Sequence, residues 1–225
     1  MNNSVCIIGS NRGIGLALVI EYLAHGWTVY GVCRTPSQEL ASLTKQHENL
    51  YIIEHVDVTK PEDIQILCNS LPKDCTEVIH NAGILRGDTV DNAHDEEILE
   101  QFTVNTLAPL NTLRALKSHL TELQKIGIIT SRMGSIGDSS RPGMLGYRIS
   151  KAAVNMVGKN LSNAWASNDF MLLLLHPGYV RTDMTNGNGL INADESARGL
   201  FTLMRDKGPQ DSGTFWHTNG SELPW

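Results

Sequence analysis

The sequence predicts a single doubly wound α/β domain over residues 1–225, built on a parallel sheet of about seven strands. Three observations carry that reading. Short apolar, β-rich runs alternate with longer stretches of helical period, and no repeat, low-complexity segment or proline-rich linker interrupts them. The run Met171-Leu172-Leu173-Leu174-Leu175 has no polar alternation, as a central strand buried on both faces requires, and His176-Pro177-Gly178 stops it after one strand length. A glycine-rich turn, Gly9-Ser10-Asn11-Arg12-Gly13-Ile14-Gly15, joins the first apolar run directly to the first helical one.

Taken in order, strands are expected near residues 5–9, 28–33, 50–54, 77–80, 126–131, 171–176 and 213–217, with helices filling the gaps. Among the helices, one runs over 14–25, a long one over 96–124, and another opens at Tyr147. The long helix repeats apolar residues at Leu99, Phe102, Leu107, Leu110, Leu113, Leu116 and Leu120, more than one sheet-facing stripe needs, so a second buried face is expected.

Size and composition agree with this plan. A chain of 225 residues buries roughly 70–75% of its unfolded surface without a disulfide or metal staple. Hydrophobic residues at 41% and charged residues at 19% exclude disorder or a coiled coil as the main architecture. Against 24 acids stand 18 bases, and the net charge of −6 argues against nucleic acid or an anionic membrane as partner and for small molecules or protein. The four cysteines form no C-x-x-C pair, which fits a reducing cytoplasm. No apolar run approaches 18 residues and no signal-like leader is present, so neither membrane spanning nor secretion is expected. The eight histidines do not cluster, and no metal site is expected.

The glycine turn is the first chemical signal. Missing Cβ atoms allow a tight turn and let backbone N–H groups approach a pyrophosphate, to which the helix N-terminus adds partial positive charge. Gly9, Ser10, Arg12, Gly13, Ile14 and Gly15 are therefore candidate dinucleotide contacts of a Rossmann-type domain, in a G-x-x-x-G-x-G spacing that departs from G-x-G-x-x-G. At the end of the second strand an NAD enzyme places an acid on the ribose 2′-hydroxyl. Cys33 and Arg34 stand there, with no carboxylate before Glu39, and Arg34 and Arg12 are placed to converge on a 2′-phosphate. The expected cofactor is NADP(H).

The other signal is Tyr147-Arg148-Ile149-Ser150-Lys151, in which Tyr147 and Lys151 share one helix face at i and i+4. A lysine cation beside a tyrosine favours the phenolate and brings it toward the working range of a general acid or base. Both Ser131 and Ser135 lie upstream as possible partners. Ser131 closes the apolar run Ile126-Gly127-Ile128-Ile129 and so stands at the carboxyl end of a strand, where open α/β sheets build their ligand crevice; Ser135 lies further into a glycine-rich loop with less to fix its direction. Pro109 has no N–H to give to the carbonyl of Asn105, so a kink with a free acceptor is expected there.

Together these segments resemble the short-chain dehydrogenase/reductase family over nearly the whole chain. Within it, Ser131-Arg132-Met133-Gly134-Ser135-Ile136, Tyr147-Arg148 with Ser150-Lys151, and the closing Glu222-Leu223-Pro224-Trp225 look most like the C-factor and sniffer-type carbonyl reductases. The resemblance implies an oxidoreductase that moves a hydride between NADP(H) and a carbonyl or alcohol. By it, Tyr147 is the general acid, Lys151 lowers its pKa and holds the nicotinamide ribose, Ser131 bonds the substrate oxygen, and Asn105 completes a tetrad with a water relay. It also implies that Asp57 and Val58 contact adenine, that Asn81, Ala82 and Gly83 line the cofactor, and that Val180 and Thr182, after Pro177-Gly178, hold the carboxamide. A homodimer or homotetramer is implied, pairing the long helix with the helix after Tyr147. An NADP-binding regulatory protein with little turnover is the alternative. Ile8 stands where the family often has threonine, and His80 replaces an asparagine; His80 and His176 read as packing residues. Residues 184–193, with Asn186-Gly187-Asn188-Gly189, read as a mobile stretch, short for a substrate lid, that leaves an open pocket.

Overall fold

A computed structural model describes residues 3–225. Seven strands, β1 (Ser4–Ile8), β2 (Thr28–Val32), β3 (Leu50–Ile53), β4 (Glu77–His80), β5 (Lys125–Ile129), β6 (Met171–His176) and β7 (Thr214–His217), form one sheet in the order β3-β2-β1-β4-β5-β6-β7. Every pairing is parallel. Parallel strands need crossovers, and the helices that make them bury both faces of the sheet. One face is covered by α1 (Gly13–Ala24), α2 (Gln38–Leu43) and α7 (Ala193–Asp206), through Leu18, Val19, Leu40, Leu200 and Met204. The other is covered by α3 (Pro61–Ser70), α5 (Ala108–His119) and α6 (Leu145–Ala164), through Leu67, Leu113, Leu116, Val154 and Leu161. The strand order reverses between β1 and β4, and the crevice beyond their carboxyl ends is the place such sheets bind ligands. Register sets Ile8 beside both Val32 and His80, which brings Gly9, Cys33 and Asn81 to that crevice together.

The long helix expected over 96–124 is divided. It begins as α4 (Asp95–Phe102), widens into a π turn at Thr103–Leu107, resumes as α5 and stops at His119. Pro109 explains the break: it has no N–H, and the ladder shifts so that Ala108 N–H donates to Thr103 O, five residues back. Leu120 is extended and buried rather than helical. The stripe divides accordingly. Leu113, Leu116 and Leu120 join the core, whereas Leu99 and Leu107 are exposed. No helix among the described residues is long and apolar enough to cross a membrane, and no group of three or more potential metal ligands gathers there.

Candidate active site

The glycine turn is locked from three sides. Gly9 has φ +85°, and both its N–H and that of Ser10 donate to Val32 O at 2.9 and 3.1 Å. A Cβ on Gly9 would lie 2.7 Å from Ala82 N, and one on Gly15 would lie 1.9 Å from Gly9 O, so neither position accepts a side chain. Asn81 Nδ2 donates to Gly9 O at 2.8 Å, and the N–H groups of Asn81 and Ala82 both donate to Ile8 O. Asn81 and Ala82 thus brace the turn as well as border the crevice. Gly13, at φ +55°, packs against the Thr182 methyl, which a Cβ would meet at 3.3 Å. Helix α1 starts there with no acidic residue in its first turn and no side-chain cap, leaving its first N–H groups open to an anion. Ile14 is half-buried and packs against the α1 face of the core.

Sequence reasoning missed the residues that set the rim of this turn. Asn11 accepts the Ser37 N–H, and Ser37 Oγ donates back to Asn11 O at 2.8 Å, which ties the turn to the segment following Arg34. Arg12 pairs at 2.5 Å with Asp183, an exposed contact across 171 positions that no local signal announces. Arg34 is exposed and lies near Asp57. Burial pushes the Asp57 carboxyl up, but bonds from Thr59 Oγ1 and Thr59 N–H and the charge of Arg34 outweigh it, and the net shift is downward. Val58 is buried in the core beside α3 and α5, and Val180 is buried and bridged to Ile191.

Tyr147, Lys151, Ser131 and Asn105 meet where β5, the π turn and the start of α6 converge, and all four are buried. Lys151 Nζ donates to Ile129 O at 3.0 Å and lies 5.6 Å from the centroid of the Tyr147 ring. Burial pushes the Tyr147 phenol up to about 12, and the Ser131 hydroxyl is the group that draws it back. Burial also brings Lys151 down to about 8. The expected lowering of the phenol by Lys151 is not seen: desolvation raises Tyr147 and lowers Lys151, and Ser131 alone draws the phenol down. Ser131 is fixed as expected: β5 ends at Ile129, and Ser131, extended, caps a short turn at Arg132–Gly134 by accepting the Met133 N–H at 3.1 Å. Ser135 is better held than its loop position suggested, since it is buried and accepts the Asp138 N–H at 3.1 Å, but no contact with Tyr147 engages it.

Asn105 uses its side chain as a brace. Its Oδ1 accepts Ile84 N–H at 2.8 Å, and its Nδ2 donates to Ile84 O at 2.8 Å and to Ser150 Oγ at 3.0 Å. Gly83 lies against it, where a Cβ would stand 3.1 Å from Asn105 Oδ1 and 3.7 Å from Lys151 Nζ. Two further braces escaped the sequence reading. Thr130 Oγ1 donates to Asn155 Oδ1 at 2.7 Å, and Gly134 packs so closely on α6 that a Cβ would lie 2.5 Å from the Lys151 carbonyl carbon.

His80 is buried with neither ring nitrogen hydrogen-bonded, and burial, helped by the Lys151 charge, brings it down to about 3. His176 is likewise brought to about 3 by burial and by charges including His217 and Arg132. Both rings are neutral near pH 7. The segment expected to be mobile is tied back on itself: Leu190 N–H donates to Tyr179 O at 2.7 Å, Arg181 N–H to Ile191 O at 3.0 Å, and Thr185 Oγ1 to Val180 O at 2.8 Å. A protonated phenol, a serine hydroxyl and a lysine of depressed pKa beside an anion-ready turn can hold a polarised oxygen and give it a proton.

Comparison with known proteins sets the chain among dehydrogenases and carbonyl reductases. The profile of a family described as short chain dehydrogenase matches residues 3–190. A 1-hydroxy-2-glutathionyl-2-methyl-3-butene dehydrogenase of Rhodococcus sp. (strain AD45) is 34% identical, with 99% of this chain and all of the relative covered. C-signal of Myxococcus xanthus is 36% identical over 66% of this chain and 91% of its own length. Among solved structures, an NADPH bound carbonyl reductase from chicken fatty liver superposes with a TM-score of 0.92 at 33% identity, covering 99% of each chain. Carbonyl reductase Sniffer of D. melanogaster superposes with a TM-score of 0.92 at 26% identity and full coverage of both chains.

Proposed function

The chain belongs to the short-chain dehydrogenase/reductase family, and on that premise we propose that it reduces carbonyl compounds, or oxidises the corresponding alcohols, with NADP(H). The observation that carries this reading is the convergence of Tyr147, Ser131 and Lys151 beside the glycine turn. When bound, the cofactor supplies the hydride for reduction. The residues present fit it: the uncapped start of α1 suits the pyrophosphate, and Arg12 and Arg34, at the rim that Asn11 and Ser37 join, suit a 2′-phosphate. Asp57 and Val58 would border the adenine, Asn81, Ala82 and Gly83 the ribose side, and Val180 and Thr182 the carboxamide.

Ser131 bonds the substrate oxygen as charge develops on it, and Tyr147 donates the proton. The phenol holds that proton at any working pH, because burial keeps it up to about 12. Lys151 binds the nicotinamide ribose and carries a charge that is half lost at about pH 8. Asn105 holds the π turn and α6 in register for these groups through its side chain.

The assembly proposed is a dimer or tetramer. Leu99 of α4 and Leu107 of the π turn, with Ile149 and Met156 of α6, leave apolar side chains exposed where α4 and α6 pack side by side. The presence together of Asn105, Ser131, Tyr147 and Lys151 argues against a regulatory NADP-binding role with little turnover. A panel of aldehydes and ketones followed by NADPH absorbance tests the function. Turnover with NADPH at least tenfold more efficient than with NADH is expected, narrowing in Arg34→Asp; tight NADPH binding with no turnover on any carbonyl would favour the regulatory reading.

A further inference from the structure

Helix α6 carries both Tyr147 and Lys151, yet it opens without a cap of its own. Its N-cap position is Met144, left-handed at φ 55° and without a side-chain cap, and its first turn holds no acidic residue. Two N–H groups at its start, those of the N-cap Met144 and of Gly146, are satisfied by one residue far earlier in the chain. Asp88 Oδ2 accepts the Gly146 N–H at 2.9 Å, and Asp88 O accepts the Met144 N–H at 2.7 Å.

Asp88 sits on a strap that is itself fixed to the π-turn side of the site. Asn105 grips Ile84 through two bonds, and Gln101 Oε1 accepts the Arg86 N–H at 2.9 Å. Gly146 is seated between the two acceptor-bearing side chains, since a Cβ there would lie 2.6 Å from Gln101 Nε2 and 2.9 Å from Asp88 Oδ2. Both side chains are buried, and among the described residues Asp88 Oδ1 and Gln101 Nε2 have no hydrogen-bond partner. Leaving such atoms unpaired lowers stability, so a seat built only for packing would be better filled by apolar groups. The groups are kept instead at the residue that immediately precedes Tyr147, where a small rotation of the helix start redirects the phenol.

We propose that Asp88 is a positioning residue for Tyr147, supplying from the strap that follows β4 the cap that α6 lacks and so fixing the direction in which the phenol enters the site. The inference rests on the proton-donor reading of Tyr147 and deepens it by naming what aims that donor. Its action needs an acceptor oxygen on the Gly146 N–H rather than a negative charge, and Gln101 with Gly146 completes the seat.

Three variants and two readouts test it. Asp88→Ala is expected to lower kcat 10- to 100-fold while NADPH Kd moves less than threefold, and Asp88→Asn, which keeps an acceptor oxygen, is expected to recover kcat to within about fivefold of the parent. Gly146→Ala leaves the cap atoms in place but crowds the seat, and is expected to lose at least tenfold in kcat with Kd unmoved. Hydrogen exchange at the amides of residues 144–148, read without substrate, is expected to speed up at least tenfold in Asp88→Ala. Undiminished kcat in either Asp88→Ala or Gly146→Ala, equal losses in Asp88→Ala and Asp88→Asn, or unchanged exchange would overturn the proposal. Should Asp88→Ala fail to fold, the other two variants decide it. Should the parent turn over no carbonyl, the dehydrogenase reading fails separately, and the exchange measurement still decides whether Asp88 caps α6.

Discussion

Ser131 and Ser135 are both buried, so what separates them is the neighbour each hydroxyl meets. Ser131 acts on the Tyr147 phenol, while Ser135 accepts the Asp138 N–H and serves a turn. Ser131→Ala is therefore expected to lower kcat by roughly 10²-fold, the scale of losing one oxyanion donor, and Ser135→Ala by a few-fold; steady-state kinetics on one accepted carbonyl compares them, and a larger loss at Ser135 would reverse the assignment. Lys151 sets the second residue-scale expectation. Because it is brought down to about 8 while Tyr147 is pushed up to about 12, the reductive rate should fall as pH rises through about 8, when the ammonium is lost and the phenol is still protonated. An alkaline limb starting only above pH 10 would remove Lys151 from the rate-determining chemistry. The residues of this site that were legible in the sequence are those whose position follows from local rules: the glycines of a strand-to-helix turn, a hydroxyl at a strand end, a Tyr-Lys pair one helical turn apart. Asn11, Asp88, Asn155 and Asp183 were not legible, because each acts across a long sequence separation by a bond that only the tertiary fold creates.

At the scale of elements, the strands were readable because a sheet buried on both faces forces continuous apolar runs, as in β6, and turn residues end them. The π turn was not, since the shift from four-residue to five-residue bonding depends on how the ladder repairs itself around Pro109. Strand β4 ends on His80, an imidazole with no partner and a pKa brought to about 3 by burial and the Lys151 charge. Its folded pKa lies below the unfolded value of about 6.5, so the unfolded chain binds the extra proton. The stability tied to the neutral ring is fully present above about pH 6.5 and is lost as pH falls toward 3. At pH 5 this amounts to about 2 kcal/mol. Thermal unfolding between pH 7 and 5 should accordingly show a smaller drop in Tm for His80→Asn than for the parent protein; parallel curves would mean that the ring is protonated in the fold or solvated on opening.

For the whole molecule, the net charge of −6 sets an acidic background, within which Arg12 is paired with Asp183 and Arg34 lies beside Asp57. The apolar face of α4 and α6 belongs to this scale as well. Leu99 and Met156, 62% and 63% exposed, are solvated unless another copy covers them. Light scattering at micromolar concentration is expected to give a dimer or tetramer that Leu99→Lys with Met156→Lys dissociates; a monomeric parent protein would contradict it. The proposed function passes through one proton, which burial keeps on Tyr147 and which the substrate oxygen would take. The most direct measurement is kcat and NADPH Kd for Tyr147→Phe, which deletes the donor and keeps the ring. A loss of more than 10²-fold in kcat with Kd within threefold is expected. Retention of more than about a tenth of the parent kcat, a loss under roughly 1.4 kcal/mol, would contradict it.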